Sequence, residues 1–116
     1  MKLKNGEVYM AYNALAALSN EKLPVKVSFG LAKFAIKLEP NFKAIEKIRL
    51  VLVKELGVEK DSIYSVSSEK RDEFQVKLDE LFGLESEIGE ITKIKLPETL
   101  MIELAILVAL DKFVEV

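Results

Sequence analysis

Neither cysteine nor histidine occurs in the chain. Without cysteine there is no disulfide, no thiolate nucleophile and no zinc–thiolate site, and the redox compartment is left open. Without histidine the commonest general base and the commonest transition-metal ligand are gone. An enzyme built from this chain would have to work with carboxylate, Lys, Tyr, Ser or Thr groups alone, so a non-enzymatic role is expected. Neither sign of charge dominates. Seventeen Lys and Arg stand against 19 Asp and Glu, interspersed, for a net charge of −2. Such a balance gathers no polyanion, and nucleic-acid binding is disfavoured. No run approaches the ~20 apolar residues of a membrane span. The opening MKLKNGEVYMAY lacks the apolar stretch and small-residue cleavage site of a signal peptide. Gly6, Gly30 and Gly57 fit neither the Walker spacing nor the dinucleotide fingerprint. The expected partners exclude nucleic acid and membrane, and the expected cofactors and metals are none.

The 116 residues suit one helical domain over 1–116, large enough to bury a core without staples. Half are apolar and 31% are charged, a mixture that suits packed helices with charged outer faces. The strongest pattern is an apolar stripe through Val27, Leu31, Phe34, Leu38, Phe42, Ile45, Ile48, Leu52 and Leu56. Steps of three and four residues put these along one side of a helix roughly 45 Å long. Ser28 is its candidate N-cap. Pro40 interrupts it, and the phase of the stripe favours a kinked continuous helix over a break with Pro40 opening a second one. Gly57 is placed to end it as a C′ residue followed by an apolar contact from Val58.

Around this rod the sequence predicts shorter pieces. Asn5-Gly6 is a turn signal, either of a short hairpin or of a turn entering a helix. Val8 to Ser19 is Ala-rich and helical, stopping before Leu23-Pro24. Close packing of that helix explains Gly30. Ile63 to Val66 reads as a brief strand, and Ser67 or Ser68 as the cap of a helix carrying Phe74, Lys77 or Leu78, Leu81 and Phe82 on one side. That helix ends at Gly83-Leu84 and lies antiparallel to the second half of the long one. Ile88 to Leu96 reads as extended, and Pro97 as the start of a last helix from Glu98 to Phe113. The fold class is therefore mainly α: a long helix in an antiparallel helical hairpin, short flanking helices and at most a small β element.

The last helix is apolar nearly all round, which a small monomer can barely bury. Leu100, Ile102, Leu104, Ile106, Leu107 and Val108 are accordingly the candidate self-association residues. No catalytic, cofactor or metal residue emerges. Glu69, Asp72, Glu73, Asp79 and Glu80 carry interleaved Lys and Arg and read as a solvated face rather than a cation site. Glu103 reads as a surface or paired carboxylate before a buried acid, with Arg49 a candidate partner for it, for Glu46 or for Glu55. Tyr9, Tyr12 and Tyr64 read as core tyrosines before base-stacking platforms.

Three stretches carry a resemblance: Leu23 to Lys33, then Leu38-Glu39-Pro40 with Ala44 to Leu50, and the ending Ile94 to Pro97 through Ala109 to Glu115. They resemble small helical proteins of bacteriophages and prophages. That resemblance implies a phage origin and a structural or assembly role, and supplies no catalytic residue. The expected function is thus a phage structural or assembly protein acting as a homo-oligomer, in the host cytoplasm or in the particle. The alternative is a small binding module that inhibits or adapts a host or phage protein.

Overall fold

The structure is a computed structural model. It describes residues 1–60, 63–66, 69–97 and 100–115. In chain order the elements are β1 (Lys2–Lys4), α1 (Asn5–Leu18), α2 (Val25–Leu56), β2 (Gly57–Lys60) and β3 (Ile63–Val66). Then come α3 (Arg71–Gly83), β4 (Glu85–Glu87), β5 (Ile94–Lys95), α4 (Leu104–Leu110) and β6 (Val114–Glu115). The fold is mainly helical, and the strands form three two-stranded ribbons that tie loops and termini together.

Helix α2 is the spine. Its 32 residues span about 48 Å at 1.5 Å each, matching the 47 Å longest dimension of the molecule. It runs without interruption through Pro40. Proline denies an N–H to the carbonyl of Ile36, but both residues lie on the exposed side, where water can serve the orphan oxygen. The helix begins three residues before the expected Ser28. The N–H of Ser28 donates to the carbonyl of Pro24 at 3.0 Å, so the chain turns helical directly after proline.

The inner face of α2 builds the core through Leu31, Phe34, Leu38 and Ile45. Opposite lie Val8, Ala11, Ala14, Leu15 and Leu18 of α1, whose alanines leave room for the long helix to approach. Tyr12 stacks on Phe42 with centroids 4.1 Å apart, and Tyr9 sits between Phe42 and Phe82 at 5.3 Å from each. Phe113 meets Phe34 edge to face at 4.6 Å. Phe34 and Phe113, both buried, contribute roughly 1.5–3 kcal/mol each, and the half-buried Tyr9, Tyr12 and Phe42 less. Helix α3 packs on α2 and α1 through Leu81 and Phe82. No helix among the described residues is long and apolar enough to cross a membrane.

Several expected boundaries move. Asn5-Gly6 makes no hairpin; Asn5 opens α1, and β1 pairs antiparallel with the distant β4, setting Lys2 opposite Glu87 and Lys4 opposite Glu85. Gly6 serves close approach instead: a Cβ there would stand 3.4 Å from the Cβ of Phe82. Gly30 is faced by Ile94 of β5 at 3.5 Å, not by α1. Gly57 begins β2, which pairs with β3 at the expected Ile63–Val66. Gly83 is the last residue of α3, with extended Leu84 as its cap. Helix α3 begins at Arg71 with Lys70 as its cap rather than at the expected Ser67 or Ser68, which lie outside the described residues.

The end of the chain departs most from expectation. Of the extended stretch Ile88 to Leu96, only Ile94–Lys95 is paired, in parallel with β6. The last helix covers Leu104–Leu110 alone. Glu103 is extended (φ −66, ψ 145), and its carbonyl accepts the N–H groups of Ile106 and Leu107. Leu100 and Ile102 thus reach the core from non-helical backbone rather than from a helix face.

Candidate functional site

Surface area that a chain leaves apolar and uncovered is where a partner gains most. On α2 a second apolar row runs along the side opposite the core. Val25, Phe29, Ala32 and Ile36 step by four, three and four residues. At 100° per residue these occupy an arc of roughly 60° facing away from Leu31, Phe34 and Leu38. All four are exposed, Val25 at 85%, Phe29 at 65% and Ile36 at 66%. Such 4-3-4 spacing is that of a helix–helix seam. The row carries no acidic residue, and the ammonium of Lys33 lies 5.5 Å from the centroid of the Phe29 ring. Farther along α2, Ile48, Leu50 and Val51 are also exposed.

The six expected self-association residues divide. Leu100, Ile102, Ile106 and Leu107 are half-buried and pack on the core. Leu104 and Val108 point outward, 74% and 63% exposed, on one side of α4 with Met101 nearby in sequence. A helix of seven residues thus spends one side on its own domain and keeps the other free. The outer row of α2 is absent from that expected set. Its signal lies in the sequence, a 4-3-4 apolar series interleaved with the inner stripe.

The charged candidates make local contacts. Arg49 pairs with Glu46 rather than with Glu103 or Glu55, its Nε and Nη2 donating to the two carboxylate oxygens at 3.1 and 2.5 Å. The Arg49 guanidinium holds the Glu46 carboxyl below its ordinary pKa, aided by the Tyr9 hydroxyl and opposed by burial. Glu103 is exposed and serves as the backbone cap of α4. On α3, Glu73 lies 3.7 Å from Lys77, and Asp79 accepts a hydrogen bond from Gln75 at 2.7 Å. Among the described residues no group of three or more acidic side chains converges as a metal site would require. Tyr9 and Tyr12 are core residues, while the side chain of Tyr64 lies outside the described set.

One buried polar residue fixes the end of α1 from which this scaffold is hung. Asn5 donates its side-chain amide to the carbonyl of Leu81 at 3.0 Å and accepts the Ser86 hydroxyl at 2.9 Å. Its backbone N–H donates to Leu84 at 2.8 Å. One residue thereby locks α1 to the end of α3 and to β4. No protein-family model, curated protein or solved structure matches the chain.

Proposed function

We propose that this chain is a non-enzymatic structural or assembly protein of bacteriophage or prophage origin, acting by helix-mediated self-association. The observation that carries the reading is the uncovered row of Val25, Phe29, Ala32 and Ile36 on the face of α2 opposite the core. Two copies joined by a two-fold contact present the row to itself. The phage origin rests on the resemblance of Leu23 to Lys33, Leu38 to Pro40, Ala44 to Leu50 and the ending to small phage proteins.

Magnitudes set the expected strength. Burying Phe29 and Ile36 on each of two copies yields roughly 6–12 kcal/mol at about 1.5–3 kcal/mol per side chain. Association costs on the order of 4–15 kcal/mol in lost freedom. A balance at the 1 M standard state would leave a monomer, so Phe29 and Ile36 alone hold no dimer; burial of Val25, 85% exposed, has to add to theirs, and the oligomer expected is weak and dissociates on dilution.

The test is molar mass by light scattering across a hundredfold dilution, with Phe29→Asp, Ile36→Asp, Leu104→Asp and Val108→Asp beside the parent chain. All four side chains are exposed, so unchanged circular dichroism and melting are expected of every variant. A mass that falls on dilution in the parent and stays monomeric in Phe29→Asp or Ile36→Asp supports the α2 row. Loss of assembly only in Leu104→Asp or Val108→Asp moves the contact to α4. A monomer at every concentration refutes self-association and turns the same row over to a different protein.

A further inference from the structure

A groove of about 730 Å³ separates the first half of α2 from the extended segment 91–97. Its floor is apolar, formed by Val27, Gly30, Phe34, Ile94 and Leu96. Its lining also includes Lys26, Lys33 and Lys37 from α2 and Lys93 and Lys95 from the facing segment, with no Asp or Glu. In a chain of net charge −2 this is a local reversal. Lys43, Lys77 and Lys112 each lie within ion-pair reach of a carboxylate. Among the described residues the five groove lysines have none; Lys37 donates to the backbone carbonyl of Glu90 and Lys33 rests over Phe29.

A second observation narrows what could fill the groove. The N–H groups of Ile94 and Leu96 both donate across to β6, at the carbonyls of Phe113 and Glu115. Backbone polar groups alternate sides along a strand, so those of Lys93 and Lys95 point away from β6. Both residues line the groove, and among the described residues no backbone bond serves that edge. An unpaired strand edge is a template for another extended chain. A free carboxylate or phosphate would satisfy the lysines and leave the edge and the apolar floor unused. A nucleic acid would do the same.

We propose that this groove binds an acidic, extended segment of another polypeptide, which adds as a strand to the free edge of β5. Main-chain bonds to Lys93 and Lys95 supply register. Alternate side chains lie on the Val27, Phe34 and Ile94 floor, and the intervening carboxylates meet the lysines. This is strand addition with electrostatic selection.

The experiment titrates a fluorescent six-residue peptide of alternating Glu and Val into the full chain by polarisation. An alternating Lys–Val peptide and a single-stranded thymidine oligonucleotide are run beside it. Hydrogen exchange at the Lys93 and Lys95 amides is followed by NMR with and without the acidic peptide. Expected are saturable binding of the acidic peptide alone, at least tenfold weakening from 50 to 300 mM salt, and slowed exchange at those two amides. Lys33→Glu with Lys95→Glu is expected to weaken binding at least tenfold with unchanged melting. Should that pair fail to fold, the Gln versions of both positions replace it. No saturable binding, tighter binding of the oligonucleotide, or peptide binding without slowed exchange at Lys93 and Lys95 overturns the proposal.

Discussion

Replacing Asn5 separates a positional role from generic helix propensity. The side chain is 8% exposed and makes two hydrogen bonds, one to the Leu81 carbonyl and one from the Ser86 hydroxyl. Each bond is worth about 1 kcal/mol net, and a buried acceptor left unpaired costs about 1–3 kcal/mol. Asn5→Ala removes both, while the Leu81 carbonyl keeps the N–H of Leu84 at 3.3 Å, so the expected loss is the two bonds, about 2 kcal/mol. Ser86→Ala removes one bond and is expected to cost about 1 kcal/mol. The double variant should then lose about 1 kcal/mol less than the two singles added together, because the shared bond can be removed only once. Asn5→Asp is the sharper probe. It keeps the acceptor for Ser86 but sets a carboxylate against the Leu81 carbonyl, so it is expected to be at least as destabilising as alanine. Urea titrations followed by circular dichroism give these differences at constant slope. A 2 kcal/mol loss in 116 residues corresponds to a melting temperature lower by roughly 8 °C. A cost below about 0.5 kcal/mol for Asn5→Ala, or free tolerance of Asp, would refute the view that this residue locks α1 to α3 and β4.

Two further expectations follow from the spine and from its charge contacts. Pro40→Ala restores an N–H opposite the Ile36 carbonyl within an otherwise continuous helix. Against an intrinsic proline penalty of about 3 kcal/mol, partly offset by the unfolded-state freedom that alanine adds, a gain of about 1–2 kcal/mol in urea stability is expected; an unchanged or lower midpoint would contradict it. The Lys112 ammonium, reinforced by the Lys4 backbone N–H and opposed by burial, holds the Glu7 carboxyl below its ordinary value of 4.5. The folded state then gives up this proton more readily than the unfolded one, so the contribution is fully present above about pH 4.5 and fades as pH falls through the lowered folded value. Solvent screens the pair, since Glu7 is 33% and Lys112 62% exposed, so the effect is small. Glu7→Gln should show a shallower fall in urea midpoint between pH 5 and 3 than the parent, and parallel profiles would count against the assignment.

The inner face of α2 was legible because burial repeats at helical spacing, and because the phase survives Pro40 from Leu38 to Ile45. The brief strand at Ile63–Val66 was legible from its β-branched and aromatic composition. The last helix misled for a physical reason. Apolar composition over Leu100 to Leu110 fixes neither backbone nor burial: extended Glu103 starts the helix late, and Leu104 and Val108 stand exposed. Strand pairing was hidden altogether, since β1 meets β4 across more than 80 positions and β5 meets β6 through two residues. Local pattern carries no information about such partners. The lysine groove was hidden for the same reason. Lys26, Lys33 and Lys37 look like an ordinary solvated helix flank until the fold brings Lys93 and Lys95 to the same groove.

The length of α2 bears on what the domain is for. The main core cluster uses its inner face as far as Ile45, after which Ile48, Leu50 and Val51 stand exposed before Leu56, at the end of the helix, is buried again. Over its first half the same helix is apolar on two opposite sides, one packed on α1 and one bare. Folding alone rewards only the packed side. The bare side offers no stability to a monomer and raises its tendency to associate. A helix that needed only its inner face could carry Lys or Glu at Phe29 and Ile36 without loss, as it does carry Lys43 and Lys47 farther along its exposed side. The difference between those two halves is what the proposed self-association explains, and the Phe29→Asp and Ile36→Asp variants address it directly, because they alter the bare side and leave the packed one intact.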